Sequence, residues 1–293
     1  MKTILVIGAS GLVGSRAVEL AAGKYRVFGT FNTHALEGDN FFQLDVLDRP
    51  AVFSLVEKVK PDLVFDTHAL HNVDYCETHP EEAWASNVDG TRHAGEAAKR
   101  AGAKYVFIST DYVFDGTKLG YTEKDKPNPL SYYARTKLAA EYMLEALGIN
   151  HAVLRTSVVY GKGGSGKLSF ALWLADKLRK GEKVNIVADQ HNNPTFADNL
   201  VLMAFRLFEV DGKGTFHATG RDCMSRFEFA QLVARVFGLD GTLISPITTP
   251  QLNQIAHRPE KVDMSTSKIE RVTGLKTLTA EEGLQQLKAQ LGG

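Results

Sequence analysis

Tyr133 and Lys137 lie four residues apart in the run Ser131-Tyr-Tyr-Ala-Arg-Thr-Lys137. On a helix that spacing puts a phenol and an ammonium on one face. A tyrosine with its ordinary pKa of about 10 holds its proton too tightly to exchange it readily at neutral pH. An adjacent fixed cation favours the phenolate and makes the pair a usable proton donor. Thr110 closes the apolar run Tyr105-Val-Phe-Ile-Ser-Thr110. A hydroxyl at the end of a strand, facing the same crevice, can hold a substrate carbonyl against the phenol; its plainer use is to cap a turn. With nine tyrosines in the chain, about one Tyr/Lys pair at this spacing arises by chance, so the weight falls on the elements around it.

The first of these is the start of the chain, Lys2-Thr-Ile-Leu-Val-Ile-Gly8-Ala-Ser-Gly11-Leu-Val-Gly14, where an apolar strand runs into Gly-x-x-Gly-x-x-Gly. Gly8 permits a tight turn, Gly11 lets backbone approach a pyrophosphate, and Gly14 allows the following helix to pack closely on the sheet. The free amides and dipole of that helix then favour negative charge, which marks Ser10, Leu12 and Val13 with the glycines as a dinucleotide cradle.

Composition agrees with a globular enzyme. The 293 residues are 44% hydrophobic and 23% charged, with a net charge of zero, enough for one large α/β unit or two joined domains. No basic stripe argues for nucleic acid, and no apolar run is long enough for a membrane. Cys76 and Cys223 have no metal-ligand spacing and read as packing residues of a cytoplasmic protein.

Strand-like runs at Ile4–Ile7, Arg26–Thr30, Leu63–Asp66, Tyr105–Ser109 and Ala152–Arg155 alternate with helical patterns at Leu12–Ala22, Arg49–Val59, Pro80–Ala101 and Tyr133–Leu147. This alternation predicts right-handed crossovers and a parallel sheet whose ligands bind at the carboxyl ends of the strands. Asn87, inside the third helix, is a poor helix former there and is expected either to bond backbone near the lysine or to pin two helices. After residue 160 the rhythm loosens. Gly161-Lys-Gly-Gly-Ser-Gly-Lys167 lacks the ending of a P-loop and reads as a flap. Beyond it helices are expected at Leu168–Leu178, Phe196–Phe208, Phe227–Phe237, Ser267–Thr273 and Ala280–Leu291, and strands at Lys183–Ala188 and Gly214–Gly220.

With these elements in order, the chain resembles the extended short-chain dehydrogenase/reductases over essentially its whole length. Within them it is similar to the dTDP-4-dehydrorhamnose reductases and to the related regulatory β subunits of methionine adenosyltransferase. The likeness is carried by Ser109-Thr-Asp-Tyr-Val-Phe-Asp-Gly116, Pro129-Leu-Ser-Tyr-Tyr-Ala-Arg-Thr-Lys137, Leu154-Arg-Thr-Ser157 with Tyr160-Gly161, Asn193-Pro-Thr195 and His257-Arg-Pro259.

The resemblance implies a Rossmann-type doubly wound parallel sheet with a smaller, interwoven C-terminal lobe. Residues 1–160 would bind NADP, with 195–216 returning to that domain, and 161–293 would mainly bind substrate. It further implies hydride delivery to C4 of a nucleotide-linked 4-keto-6-deoxyhexose. Tyr133 would protonate the alkoxide, Thr110 would polarise the carbonyl, and Lys137 would depress the tyrosine pKa and hold the nicotinamide ribose. Asp45 and Val46 would lie beside the adenine, Asn32 at the end of the second strand, and His68 and Ala69 along the cofactor. His71, Val158, Asn193 and Arg258 would line the substrate, Arg258 as partner of its diphosphate or in a surface salt bridge.

The second strand ends Phe28-Gly-Thr30-Phe-Asn32-Thr-His34, with no acid to meet a ribose 2′-hydroxyl. This favours NADP(H) and leaves NAD(H) open, Arg16 or His34 being the cations at hand for a 2′-phosphate. Two departures touch the sugar pocket. Asp66-Thr-His-Ala-Leu70 stands where the rhamnose-forming reductases usually show Asn-Ala-Ala-Ala-Tyr, and Val158 replaces a common tryptophan. His68 and His71, with no third ligand, make no metal site. An epimerase or dehydratase of the same fold, the latter on the strength of Asp111, and a regulatory subunit without turnover are the alternatives, and a homodimer is compatible with either.

Overall fold

The structure is a computed structural model, and it describes residues 1–166 and 168–292; Lys167, in the expected flap, lies outside the described residues. The strands are β1 (Thr3–Ile7), β2 (Arg26–Phe31), β3 (Phe41–Gln43), β4 (Leu63–Asp66), β5 (Lys104–Thr110), β6 (His151–Thr156) and β7 (Val159–Tyr160). They continue with β8 (Val184–Val187), β9 (His191–Asn192), β10 (Thr195–Phe196), β11 (Gly214–His217), β12 (Met224–Ser225) and β13 (Ile244–Ile247). The α-helices are α1 (Leu12–Ala21), α2 (Arg49–Val59), α3 (Val73–Thr78), α4 (Pro80–Trp84), α5 (Thr91–Ala101) and α6 (Tyr132–Ala146). Later come α7 (Phe170–Arg179), α8 (Ala197–Glu209), α9 (Arg226–Phe237), α10 (Ser267–Thr273) and α11 (Ala280–Gln290).

Seven strands pair in parallel in the order β11-β6-β5-β4-β1-β2-β3. The order reverses direction between β1 and β4, the place where ligands bind at the carboxyl ends of the strands in such sheets. Alternation along each strand divides the core. Ile4, Val6, Leu63, Phe65 and Val106 face one side, under α1 and α8. Leu5, Ile7, Val64, Tyr105 and Phe107 face the other, with residues of α2, α5 and α6. Burial on both faces explains why these strands are near-continuously apolar.

The chain does not finish one layer before starting the next. After β7 it builds a second core from α7, α9, α11 and the parallel pair β8–β13, around Tyr160, Leu174, Ile186, Phe229 and Leu284. Between those visits α8 packs on α1, and β11 adds an edge strand to the main sheet beside β6, with Ile269 of α10 in the same core. Among the described residues no helix is long and apolar enough to cross a membrane.

One expected element differs. The single helix over Pro80–Ala101 is instead α4, a π-helical turn over Ala85–Gly90, and α5. The widened turn is where Asn87 spends its side chain on partners outside the helix. It accepts from Leu70 N at 2.8 Å and donates to Leu70 O at 3.1 Å and to Thr136 Oγ1 at 3.0 Å. Such bulges recur at functional sites.

Candidate active site

The cradle begins with Gly8, whose φ of +82° suits glycine, since a side chain there would be strained. A Cβ on Gly14 would sit 2.2 Å from Gly8 O and 2.8 Å from Ala9 Cα, so only glycine lets α1 start this close to β1. Gly11 is the N-cap of α1 and no side chain caps it, leaving the amides at Leu12 and Val13 free of a side-chain partner. A pyrophosphate fits this donor set by charge. The glycine loop after β7 lies directly on it. Ser165 donates from N and Oγ to Ser10 O at 2.9 and 3.1 Å, and Gly164 N donates to Ser15 Oγ at 2.9 Å.

Helix α6 carries the phenol and the ammonium. Ser131 caps it, accepting from Ala134 N at 3.4 Å, and Glu77 of α3 accepts from Tyr132 N at 2.8 Å. Thr136, bonded to Asn87, ties the middle of the Tyr133–Lys137 turn to the π-helical turn. Tyr133 is half-buried, and its phenol is pushed above the ordinary tyrosine value, first by burial and then by the charge of Asp111; the Thr110 hydroxyl acts on it in the opposite direction as a hydrogen-bond partner. Lys137 is 1% exposed. Burial lowers its pKa to about 8 against the pull of Asp66 and Glu141, and its Nζ lies 3.9 Å from the centroid of the Phe107 ring.

Burial and the Asp111 charge push the Tyr133 phenol up, and the Thr110 hydroxyl pulls it down; the Lys137 ammonium lies against the Phe107 ring with Asp66 and Glu141 as the charges that act on it.

Thr110, at the end of β5, accepts from Tyr112 N at 3.2 Å and donates to Asp111 Oδ1 at 3.1 Å. The other oxygen of Asp111 accepts from Ser157 Oγ at 2.5 Å and Asn192 Nδ2 at 3.4 Å. Asp111 is 3% exposed, and burial raises its pKa more than these donors lower it.

Below the cradle, at the end of β4, Asp66 is fully enclosed. Its Oδ1 meets His68 Nδ1 at 2.5 Å, while Tyr105 donates its hydroxyl to Oδ2. The other imidazole nitrogen of His68, Nε2, lies 3.1 Å from Ser86 O. Both ring nitrogens thus face acceptors, and the Asp66 charge raises His68 above its ordinary value despite burial; an imidazolium satisfies both bonds.

The remaining residues are placed as follows. Val46 packs against Gly90, where a Cβ would also come 3.2 Å from His68 Nε2, and Val46 O accepts from His93 Nδ1 at 3.0 Å. Asp45 and Asn32 are exposed, and Ala69 is half-buried. His71 is exposed, away from any hydrogen-bonded cluster. Val158 has φ of +41°, a strained backbone for a β-branched residue. Asn193 is fully buried and accepts from Met264 N at 3.0 Å.

Two cations are already engaged. Arg258 grips Asp74 with both arms, at 2.9 and 3.0 Å, which matches the salt-bridge alternative better than a free fork for a diphosphate. Arg16 is buried and held bidentately by Asp198 at 2.6 and 2.7 Å, which engages the fork a 2′-phosphate would need, whereas exposed His34 makes no ion pair among the described residues. Sequence reasoning missed the part played by Asp66, Ser157 and the Ser15 hydroxyl. An acid closing the buried run Leu63-Val-Phe-Asp66 was the available signal for the first.

Residues 1–292 match the family described as RmlD substrate binding domain. The chain is 34% identical over 291 residues to the probable low-salt glycan biosynthesis reductase Agl14 of Haloferax volcanii, covering 97% of this chain and 96% of that one. It is 33% identical over 282 residues to methionine adenosyltransferase 2 subunit beta of Bos taurus, covering 92% and 82%. The crystal structure of a dTDP-4-dehydrorhamnose reductase from Bacillus anthracis in complex with NADP superposes with a TM-score of 0.89 at 28% identity, covering 99% and 100%. The glycine cradle, the Tyr133–Lys137 helix and the match along the whole length together place this chain in the RmlD substrate binding domain family.

Proposed function

We propose that the protein is an NADP(H)-dependent reductase of a nucleotide-linked 4-keto-6-deoxyhexose. The observation that supports this reading is that one parallel sheet carries the glycine cradle beyond the end of β1 and Thr110 at the end of β5, with Tyr133 and Lys137 in the first turns of α6. Residues 1–160, with 195–216, form the cofactor side, and 161–293 supply most of the substrate side. A reduced nicotinamide held in the crevice supplies the hydride. Tyr133 gives its proton to the oxygen that gains charge, and Lys137 lies on the same helix face one turn on. The exposed Asn32-Thr-His34 end of β2 carries no carboxylate, and the similar Bacillus anthracis reductase is described with NADP; both support NADP(H) ahead of NAD(H).

A dehydratase would need an acid presented to the sugar. Asp111 is buried with both oxygens engaged by Thr110, Ser157 and Asn192, which argues against it. One observation favours a second reading. The similarity to methionine adenosyltransferase 2 subunit beta, together with the altered sugar-side residues His68, Leu70 and Val158, supports a regulatory subunit that binds the dinucleotide without turnover.

NADPH and NADH oxidation measured against a set of 4-keto sugar nucleotides decides between them. The wild type turns over at least one, and Tyr133→Phe loses about 100-fold or more in kcat with KM little changed. Equal turnover by the mutant removes Tyr133 from the chemistry. Copurification with a methionine adenosyltransferase and no oxidation of either cofactor establishes the regulatory reading. NADPH binds more tightly than NADH in a direct titration; the reverse order overturns the cofactor assignment.

A further inference from the structure

Gly8 is where the chain leaves β1, with φ of +82°, and its amide and carbonyl still need partners. The strands on either side of β1 are β2 and β4, and the end of each delivers a threonine hydroxyl to this one residue. From β2, Thr30 Oγ1 accepts from Gly8 N at 3.2 Å. Just beyond β4, the Thr67 hydroxyl donates to Ile7 O at 2.8 Å and lies 3.2 Å from Gly8 O, so its one proton is shared between consecutive carbonyls. Thr30 is 2% exposed and Thr67 half-buried. We propose that Thr30 and Thr67 are positioning residues for the dinucleotide, a pair of hydroxyls that clamps Gly8 from both sides and so aims the amides of α1 at the pyrophosphate.

The hold on Gly8 reaches the helix through short contacts. Gly8 O also accepts from Gly11 N at 3.0 Å, and Gly11 is the N-cap of α1. A Cβ on Gly14 would meet Gly8 O at 2.2 Å, so the helix rests on the same carbonyl. A rotation of the Gly8 peptide therefore moves the start of α1, and with it the Leu12 and Val13 amides. The backbone adds bonds of its own, Ala9 N to Thr30 O at 2.7 Å and Thr67 N to Ile7 O at 3.0 Å, and these survive a change of side chain at either threonine.

The hydroxyls are not needed to fill space. Valine has the branched shape of threonine and suits a strand end as well, so Thr→Val at either place keeps the packing and removes one bond. In Thr30→Val the Gly8 amide loses its side-chain partner, and in Thr67→Val the Gly8 carbonyl keeps only Gly11. A cradle loosened in this way must be ordered at the moment of binding, and that ordering is taken out of the affinity. The loss falls on ligands that carry the 5′-pyrophosphate, and a fragment without it is spared. The proposal rests on the dinucleotide-binding part of the reductase reading and holds whether or not the bound cofactor turns over.

Direct titration of the full chain with two ligands tests the clamp. NADPH carries the pyrophosphate, whereas 2′-AMP keeps the adenosine and its 2′-phosphate and has no 5′-phosphate. In Thr30→Val and in Thr67→Val the NADPH dissociation constant rises about 5- to 10-fold, the worth of one hydrogen bond, while the 2′-AMP constant stays within about 2-fold of wild type. Thr67→Ser, which keeps the hydroxyl, binds NADPH as the wild type does. Amide hydrogen exchange at Leu12 and Val13 in the free protein is faster in both valine variants. An unchanged NADPH constant in either valine variant, an equal loss for 2′-AMP, or a Thr67→Ser protein as weak as Thr67→Val overturns the clamp and leaves the cofactor reading in place. Failure of the wild type to bind NADPH or NADH overturns the cofactor reading, and the clamp falls with it. Either valine variant is decisive alone if the other does not fold.

Discussion

Asp66 is enclosed completely, yet it stays charged. Burial alone would protonate it, and the adjacent His68 charge, the Tyr105 hydroxyl and the more distant Lys137 outweigh that and carry its pKa below the ordinary value. His68 moves the opposite way, upward, because the same carboxylate outweighs its own desolvation. The signs fix a window. The lowered Asp66 contributes stability that is present above its unfolded pKa of about 3.9 and lost as pH falls through the folded value. The raised His68 contributes stability that is present below its unfolded pKa of about 6.5 and lost as pH rises through the folded value. Between those limits both act. Asp66→Asn is therefore expected to cost about 3–5 kcal/mol near pH 5 to 6, the usual consequence of breaking a buried pair, and less in alkali. Urea unfolding at a series of pH values checks it, and a difference that does not vary with pH contradicts the pairing. The resemblance implied a place for His68 along the cofactor, but not that an acid two residues earlier would hold its ring, because that contact depends on how the loop after β4 folds back.

At the scale of elements, the turn between β1 and α1 is the part most plainly written in the sequence. Its demands are local: a positive φ at Gly8 and no side chain at Gly14. Gly14→Ala puts a methyl against backbone that cannot step aside, so α1 must move off β1. The expected cost is about 1–3 kcal/mol of stability, with a larger proportional loss in NADPH affinity because the helix amides shift as well. Thermal unfolding together with a cofactor titration tests it, and unchanged affinity would show that the cradle does not hold the dinucleotide. The Tyr133–Lys137 spacing was equally legible, since helical periodicity alone puts both on one face. What the spacing could not reveal was the charge balance, which involves Asp66 at the end of β4, Phe107 in β5 and Asp111 just beyond β5. Nor could it show the π-helical turn at Ala85–Gly90. Its residues favour no such turn by type, and it forms where Asn87 bonds Leu70 and Thr136 across three elements. Short strands such as β3 and β13 escaped for a related reason: β3 has three residues, and β13 carries Ser245 and a proline, so neither shows the continuous apolar run that marks β4.

For the molecule as a whole, the interleaving of the two cores matters most. Helix α8 covers α1 and the centre of the sheet through Leu200, Val201, Ala204 and Phe205, all buried, and β11 seals the edge of β6. A chain ending after residue 160 keeps every residue of the glycine cradle and of the Tyr133–Lys137 pair but loses that cover. It is expected to lack a cooperative thermal transition and to aggregate through its bare apolar face; a soluble fragment that melts sharply and binds NADPH would show that the first half folds alone. The late return of β11 also sets a clock during synthesis. From Thr156 to His217 a ribosome adds 217 − 156 = 61 residues, about 3 to 12 s of elongation. Until α8 is made, part of that face of the sheet lacks its native cover, and the β6 edge has no partner before β11. The nascent chain thus passes through its most adhesive stage with its chemical residues already made, and a general holding factor acting in those seconds would set the yield of folded protein.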